Sequence, residues 1–266
     1  MKRLVLLCYS IMLTFGTVVS QNEPLKKIGE LPVAATGVVT DKIGNIYTFK
    51  NEEIMRHASK SDRVRRESFK KYGNISSVDV INPLKILVFF QDLVLIVFLD
   101  NELGIRGQTL ELDFMGYPQV TAVCRSYDNG TWLFDKSTFR LSRLSENLRE
   151  TNSTSNLMQI TGSQINPDMM IETNRRLYLS DYNEGIFVFD FFGTFIRKIH
   201  AKGVKSLDFF GDNVYFLTDK EIGILDETTS DIHYVDNPNK EATSMAVQKN
   251  RILLSDGKKI DVFEVK

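Results

Sequence analysis

The chain has 266 residues, 42% of them apolar and 25% charged, with 33 Lys plus Arg against 34 Asp plus Glu. Such ordinary globular composition excludes a disordered chain, a collagen-like repeat and a miniprotein held together by disulfides. The near-neutral balance also argues against nucleic acid as a partner, because affinity for phosphates rests on clustered Lys and Arg.

In chain order, Lys2 and Arg3 precede an apolar run over residues 4–15, and small residues follow up to Ser20. Basic, then apolar, then small is the order of a secretory signal peptide, so residues 1–20 are expected to be an export signal and residues 21–266 one β-propeller domain. The apolar run is too short to span a bilayer comfortably, so no transmembrane segment is expected after cleavage. Cys8 would leave with the signal. Cys124 would then be the single mature thiol, and its apolar setting reads as a small buried hydrophobe.

Short runs rich in β-branched and aromatic residues recur, starting at Ile46, Ile86, Thr131, Leu177, Val214 and Ile252, at intervals of 37 to 46 residues. Four short strands with their turns need about forty residues, the period of a propeller blade. Unit one reads as strands over 36–41, 46–50, 53–58 and 65–70, with Gly44-Asn45 as the first tight turn. Unit two holds the apolar stretch 86–99, broken by Gln91-Asp92 and therefore two strands and a hairpin. Asp100, Asp190 and Asp226 begin comparable outer turns, whereas unit three has Ser145 there and a polar tract over 150–156.

Unit six supplies only three strands before the chain ends. Residues 25–31 precede unit one and belong to no other unit, so they are the expected fourth strand. The fold expected is all-β: six four-stranded antiparallel blades, with the ring closed by the N-terminal strand pairing with the C-terminal blade. Closure of this kind protects edges that would otherwise pair with other chains.

The segment 37–47, with its Gly44-Asn45 turn, resembles the repeat of NHL-type propellers. Residues 77–90 and 98–101, above all the Val80-Ile81-Asn82-Pro83-Leu84-Lys85-Ile86-Leu87 run, are similar to a little-characterised family of exported propellers from Bacteroidota, and Gln21 suits the start of such a protein. The resemblance covers most of the mature chain. It implies a periplasmic or cell-surface location and carries over no catalytic residue.

The favoured function is a non-catalytic binding or scaffold subunit in a cell-envelope protein complex. Its expected contacts are Phe191 and Phe192 at an outer turn, and Arg63, Arg65 and Arg66 in a basic stretch. The sequence assigns no cofactor and no oligomeric state. An alternative is a metal-dependent lactonase or hydrolase with Ca²⁺ in the central channel, held by Asp79, Asn166, Asp168 and Asp208, whose oxygens suit that ion. A third reading is a glycan- or small-ligand-binding mouth using Tyr117 or Tyr127. An enzyme is the weaker reading, since His57, His200 and His233 are isolated and no nucleophile elbow or phosphate loop occurs.

Overall fold

A computed structural model describes residues 25–265; the expected export signal, residues 1–20, lies outside the described residues. β1 (Lys26–Leu31) comes first and stands apart from the strands that follow it. Blade one is β2 (Gly37–Thr40), β3 (Ile46–Lys50), β4 (Glu53–His57) and β5 (Val64–Ser68). Blade two is β6 (Ser77–Asp79), β7 (Ile86–Phe90), β8 (Leu95–Leu99) and the two-residue β9 (Leu110–Glu111). Blade three is β10 (Val120–Arg125), β11 (Thr131–Asp135), β12 (Arg140–Leu144) and β13 (Glu150–Ser153), followed by a single-turn helix, α1 (Leu157–Thr161). Blade four is β14 (Met169–Thr173), β15 (Arg176–Asp181), β16 (Gly185–Asp190) and β17 (Phe195–Ile199). Blade five is β18 (Ser206–Phe210), β19 (Asn213–Leu217), β20 (Glu221–Asp226) and β21 (Ile232–Asp236), and blade six contains β22 (Ser244–Gln248), β23 (Arg251–Ser255) and β24 (Ile260–Glu264).

The sheet order β1-β24-β23-β22 gives blade six its outermost strand from the other end of the chain. All pairings are antiparallel, and β1 runs along β24 from Lys26 opposite Glu264 to Leu31 opposite Ile260. Innermost strands neighbour one another all the way round, including β22 against β2. The chain is a six-bladed β-propeller of four-stranded antiparallel blades.

Period-two alternation explains why the inner strands are apolar on both sides. Ile86, Val88 and Phe90 of β7 enter a core shared with Tyr47 and Ile54 of blade one. Leu87 and Phe89 face the other way, into a core shared with Val123 and Leu133 of blade three. Successive side chains point to opposite faces, so a strand sandwiched between two blades reads as a continuous hydrophobic run. That is the physical meaning of the 86–99 stretch: all ten residues of β7 and β8 are buried. The outermost strands β13, β21 and β1 are mostly exposed and innermost strands such as β2 and β18 are half-open to the channel, so burial peaks in second strands such as β7 and β11.

The apolar core between blades six and one is small, built on Ala35, Val38, Ala246, Leu253 and Ile260. Side-chain hydrogen bonds reinforce it. Ser244 Oγ accepts the Val38 amide at 3.0 Å, Thr40 Oγ1 donates to the Val247 carbonyl at 2.9 Å, and Ser255 Oγ donates to the Ala35 carbonyl at 2.7 Å. The first of these repeats one blade back, where Ser206 Oγ accepts the Met245 amide.

The outer turns behave as their Asp residues predict. Oδ1 of Asp100 accepts the amides of Glu102 and Gly104, and Oδ1 of Asp190 accepts those of Phe192 and Thr194. In unit three, Ser145 Oγ does the same work by accepting the Arg149 amide at 3.2 Å, so the departing residue keeps the turn.

Candidate functional site

Register aligns the six innermost strands. Val39, Asp79, Cys124, Ile171, Asp208 and Ala246 each stand opposite the second residue of a repeated run, namely Tyr47, Leu87, Trp132, Tyr178, Tyr215 and Leu253. They therefore form one level around the axis. The channel they surround is a cavity of about 1580 Å³ lined by residues from all six blades. Val39, Ile171 and the two aspartates are half-buried at that level, while Cys124 and Ala246 are fully buried. Burial pushes the Cys124 thiol up, which suits an inert core residue.

Asp79 and Asp208 lie three blades apart, so they face each other across the ring. Asp79 Oδ2 accepts the Arg125 amide at 2.8 Å and Oδ1 accepts the Ile81 amide at 2.9 Å. Asp208 Oδ2 accepts the Val247 amide at 2.6 Å and Oδ1 accepts the Phe209 amide at 2.8 Å. Each carboxylate therefore pins the next blade's innermost strand. Burial pushes Asp208 up to about 7, with the charge of Asp79 acting in the same direction, and burial also raises Asp79.

Asp168 also lines the channel, but at the mouth where the chain crosses from blade to blade. Asn166 is exposed and absent from the lining; its backbone amide donates to Asp181 Oδ2 at 2.6 Å. Among the described residues no three His, Cys, Asp or Glu side chains converge as a metal centre requires. Asp79 and Asp208 are committed to main-chain amides on opposite walls, and the other two candidates stand away from them. The four do not fit a calcium ion, which takes 6–8 oxygens in one shell. His57 is half-buried beside Thr48 Oγ1 at 3.2 Å, and His200 and His233 are exposed.

Of the remaining candidates, Phe191, Phe192 and Arg63 sit on the face that carries the β2–β3, β4–β5 and β16–β17 turns, and Arg66 turns toward the β3–β4 turn at the other end of its blade. Phe191 and Phe192 occupy the turn between β16 and β17, and Phe192 is 62% exposed. Asp190 fixes this turn from within, and Gly193, at φ 88°, closes it against blade three, where a Cβ would stand 2.9 Å from Thr154 Cγ2. The Phe191 ring is met edge-on by Tyr127 at 6.0 Å and covered by the Arg175 guanidinium at 4.2 Å. Tyr127, itself 64% exposed, carries Arg143 at 4.9 Å from its ring centre. The result is an aromatic surface between blades three and four, with exposed Arg175 on Phe191 and buried Arg143 stacked on Tyr127.

Tyr127 thus belongs to this patch and does not line the channel. Tyr117 does not line it either, and donates its hydroxyl to Glu150 at 2.6 Å. The two tyrosines do not form an aromatic channel mouth.

Much of the charge of the basic stretch is met within the ring. Glu102 of blade two receives Arg65 at 2.7 Å, Arg56 at 3.3 Å and Arg63 at 3.6 Å. Arg66 lies 3.8 Å from Glu53. The carboxylate of Glu102 is held below its usual range by Arg65 first and then by the other two arginines.

Sequence reading did not single out Glu172, a 5%-exposed carboxylate behind the aromatic patch. It accepts Trp132 Nε1 at 2.6 Å, Ser126 Oγ at 2.8 Å and the Tyr127 amide at 2.9 Å, locking blade three to blade four. An acidic residue inside an otherwise apolar inner strand was the available signal.

No protein-family model matches the sequence, and no curated protein matches it either. Solved structures do resemble the fold. A chain of the mitotic checkpoint complex superposes with a TM-score of 0.65 at 9% identity, covering 99% of both chains. The β-propeller domain of Cps50 (Swd1) from Myceliophteria thermophila gives 0.66 at 10% identity, covering 91% of this chain and 100% of that one. Streptogramin B lyase gives 0.60 at 13% identity, covering 92% and 86%. At such identities the likeness concerns the fold alone. Among the described residues no helix is long and apolar enough to cross a membrane.

Proposed function

We propose that the protein is a non-catalytic binding ring of the cell envelope, exported by its N-terminal signal and positioning a protein partner on its hairpin face. The observation that carries this reading is the aromatic patch of exposed Tyr127 and Phe192 around half-buried Phe191, the two phenylalanines standing on a turn fixed by Asp190 and Gly193 and Phe191 being covered by Arg175. Large aromatics flanked by Arg are the residue types that dominate binding hot spots. The propeller neighbours include a chain of a multiprotein checkpoint complex, which supports scaffold use by analogy of fold. Arg63, exposed in the β4–β5 turn, would contribute a polar contact on the same face, whereas Arg66 turns toward Glu53 at the other end of blade one. Affinity capture from envelope extracts tests the proposal. A protein retained by the wild type and lost with Phe191→Ser/Phe192→Ser, at unchanged melting temperature, supports it; equal retention by both overturns it. Fractionation combined with N-terminal sequencing tests the export component, which fails if residues 1–20 remain on a cytoplasmic protein.

A further inference from the structure

The two mouths of the channel differ in charge. On the hairpin face, the β2–β3 turn brings Lys42, the β4–β5 turn brings Lys60, and the β22–β23 turn brings Lys249 followed by Arg251, all lining the cavity. None of these four makes an ion pair among the described residues. Two acids share that mouth. Asp41 is occupied: Oδ1 accepts the amides of Ile43, Gly44 and Asn45, and Oδ2 accepts Asn45 Nδ2 and the Tyr47 hydroxyl. Asp62 is the other. At the opposite mouth Lys205 is paired with Asp219 and lies with Asp168, leaving no comparable positive excess.

The basic mouth is rigid. Ser59 Oγ donates to the Ile43 carbonyl at 3.0 Å, and the Ser59 amide donates to Asn45 Oδ1 at 3.1 Å, tying two blade-one turns together. Gly44 packs against Ser59 and Gln248, where a Cβ would stand 3.2 and 3.0 Å from their side chains, so the blade-six strand end abuts the same turns. Lys249 adopts φ 51°, fixing the tight turn that carries it. Beneath the rim the lumen is walled by half-buried Val39, Ile81, Met169, Ile171 and Phe209, with Asp79 and Asp208 on opposite walls and their carboxylates held by main-chain amides. Unpaired cations above a mainly apolar wall complement a molecule with an anionic head and an apolar body, and the cavity has room for both.

We propose that the channel binds a small anionic amphiphile, its head group held by Lys42, Lys60, Lys249 and Arg251 and its apolar body lying along the lumen. This site is separate from the Phe191–Phe192 patch and does not depend on it. Titration calorimetry of the full-length mature protein with dodecyl phosphate, below its micellar concentration, provides the test, with dodecanol and inorganic phosphate as probes of body and head alone. Expected is one-to-one binding of dodecyl phosphate, at least about tenfold tighter than either half-probe. Lys249→Glu/Arg251→Glu should weaken it by at least about tenfold, whereas Lys205→Glu at the opposite mouth and Phe191→Ser/Phe192→Ser should leave it unchanged. Should the charge reversal unfold the protein, Lys249→Gln/Arg251→Gln serves in its place. Equal affinity for dodecanol, equal affinity for inorganic phosphate, or equal loss with Lys205→Glu would overturn the proposal. Binding to phosphatidylglycerol vesicles without binding of monomeric dodecyl phosphate would overturn it in favour of a membrane surface.

Discussion

Asp79 and Asp208 occupy the same register position in blades two and five, and each ties its own blade to the next by accepting a main-chain amide, from Arg125 and Val247 respectively. Two carboxylates facing one lumen make a stapling device whose strength depends on protonation.

For Asp208 the folded-state value near 7 lies above the ordinary Asp range, so the folded protein holds a proton that the unfolded chain releases. The resulting contribution is present at low pH and lost as pH rises from about 4 to about 7. Asp208→Asn removes that dependence. Urea unfolding should find the variant more stable than wild type at pH 8 by about 2 kcal/mol, after discounting the full linkage value for channel water, and the advantage should vanish or reverse at pH 5. A uniform loss at both pH values would refute the assignment.

Glu172 gathers three donors from blade three in a nearly water-free position. Glu172→Ala strands the Trp132 indole and the Ser126 hydroxyl and should cost about 3 kcal/mol, with Glu172→Gln costing roughly half as much. Trp132 is the chain's single tryptophan. Its emission should shift in the Ala variant before any unfolding, and an unshifted spectrum with wild-type stability would show the network to be incidental.

At Gly37 the ring of its cross-strand partner Phe49 covers the bare Cα, and a Cβ would fall within that ring; Gly223 and Phe216 repeat the arrangement in blade five. Gly37→Ala should therefore destabilise by about 2 kcal/mol through displacement of Phe49, although Ala is ordinarily the better strand residue. Calorimetric melting of Gly37→Ala beside Gly37→Ala/Phe49→Ala distinguishes overpacking from backbone effects: the double variant should show less than the summed loss.

Lys27 and Lys259 bracket Glu30 and Asp261 across the closing strand pair, at 2.7 and 2.6 Å for Lys27 and 2.8 and 3.2 Å for Lys259. Lys27 and Glu30 are exposed, Lys259 is half-buried, and buried Asp261 keeps Lys259 as its partner when Lys27 is removed, so Lys27→Ala should change stability by less than about 1 kcal/mol. Removing residues 25–31 is a different perturbation, because it bares the β24 edge. Light scattering should then report oligomers or aggregates; a monodisperse monomer would mean that the ring tolerates an open edge.

The fold was legible because a repeat announces itself six times. The runs beginning at Ile46, Ile86, Thr131, Leu177, Val214 and Ile252 became the second strands of six blades, and residues 25–31 supplied the missing strand. Turn chemistry was readable at Asp100, Asp190 and Asp226 for the same local reason. The sites were less legible. Asp79 and Asp208 looked like metal ligands by type, but their partners are backbone amides some forty residues away, which no side-chain pattern records. Charge compensation of Arg63 and Arg65 by Glu102 comes from the neighbouring blade. Lys42, Lys249 and Arg251 meet only because the ring brings its first and last blades together.

The pairing of β1 with β24 joins the first of the described strands to the last of them. During synthesis β1 waits through the whole length of the chain with one edge unsatisfied, and the thin apolar seam between blades six and one forms only when that wait ends. This sequence-distant contact can form only once β24 has been made, so partly made chains expose a strand able to pair with another copy. The exposed charges Lys26, Lys27 and Glu30 on that strand are well placed to keep it soluble in the interval.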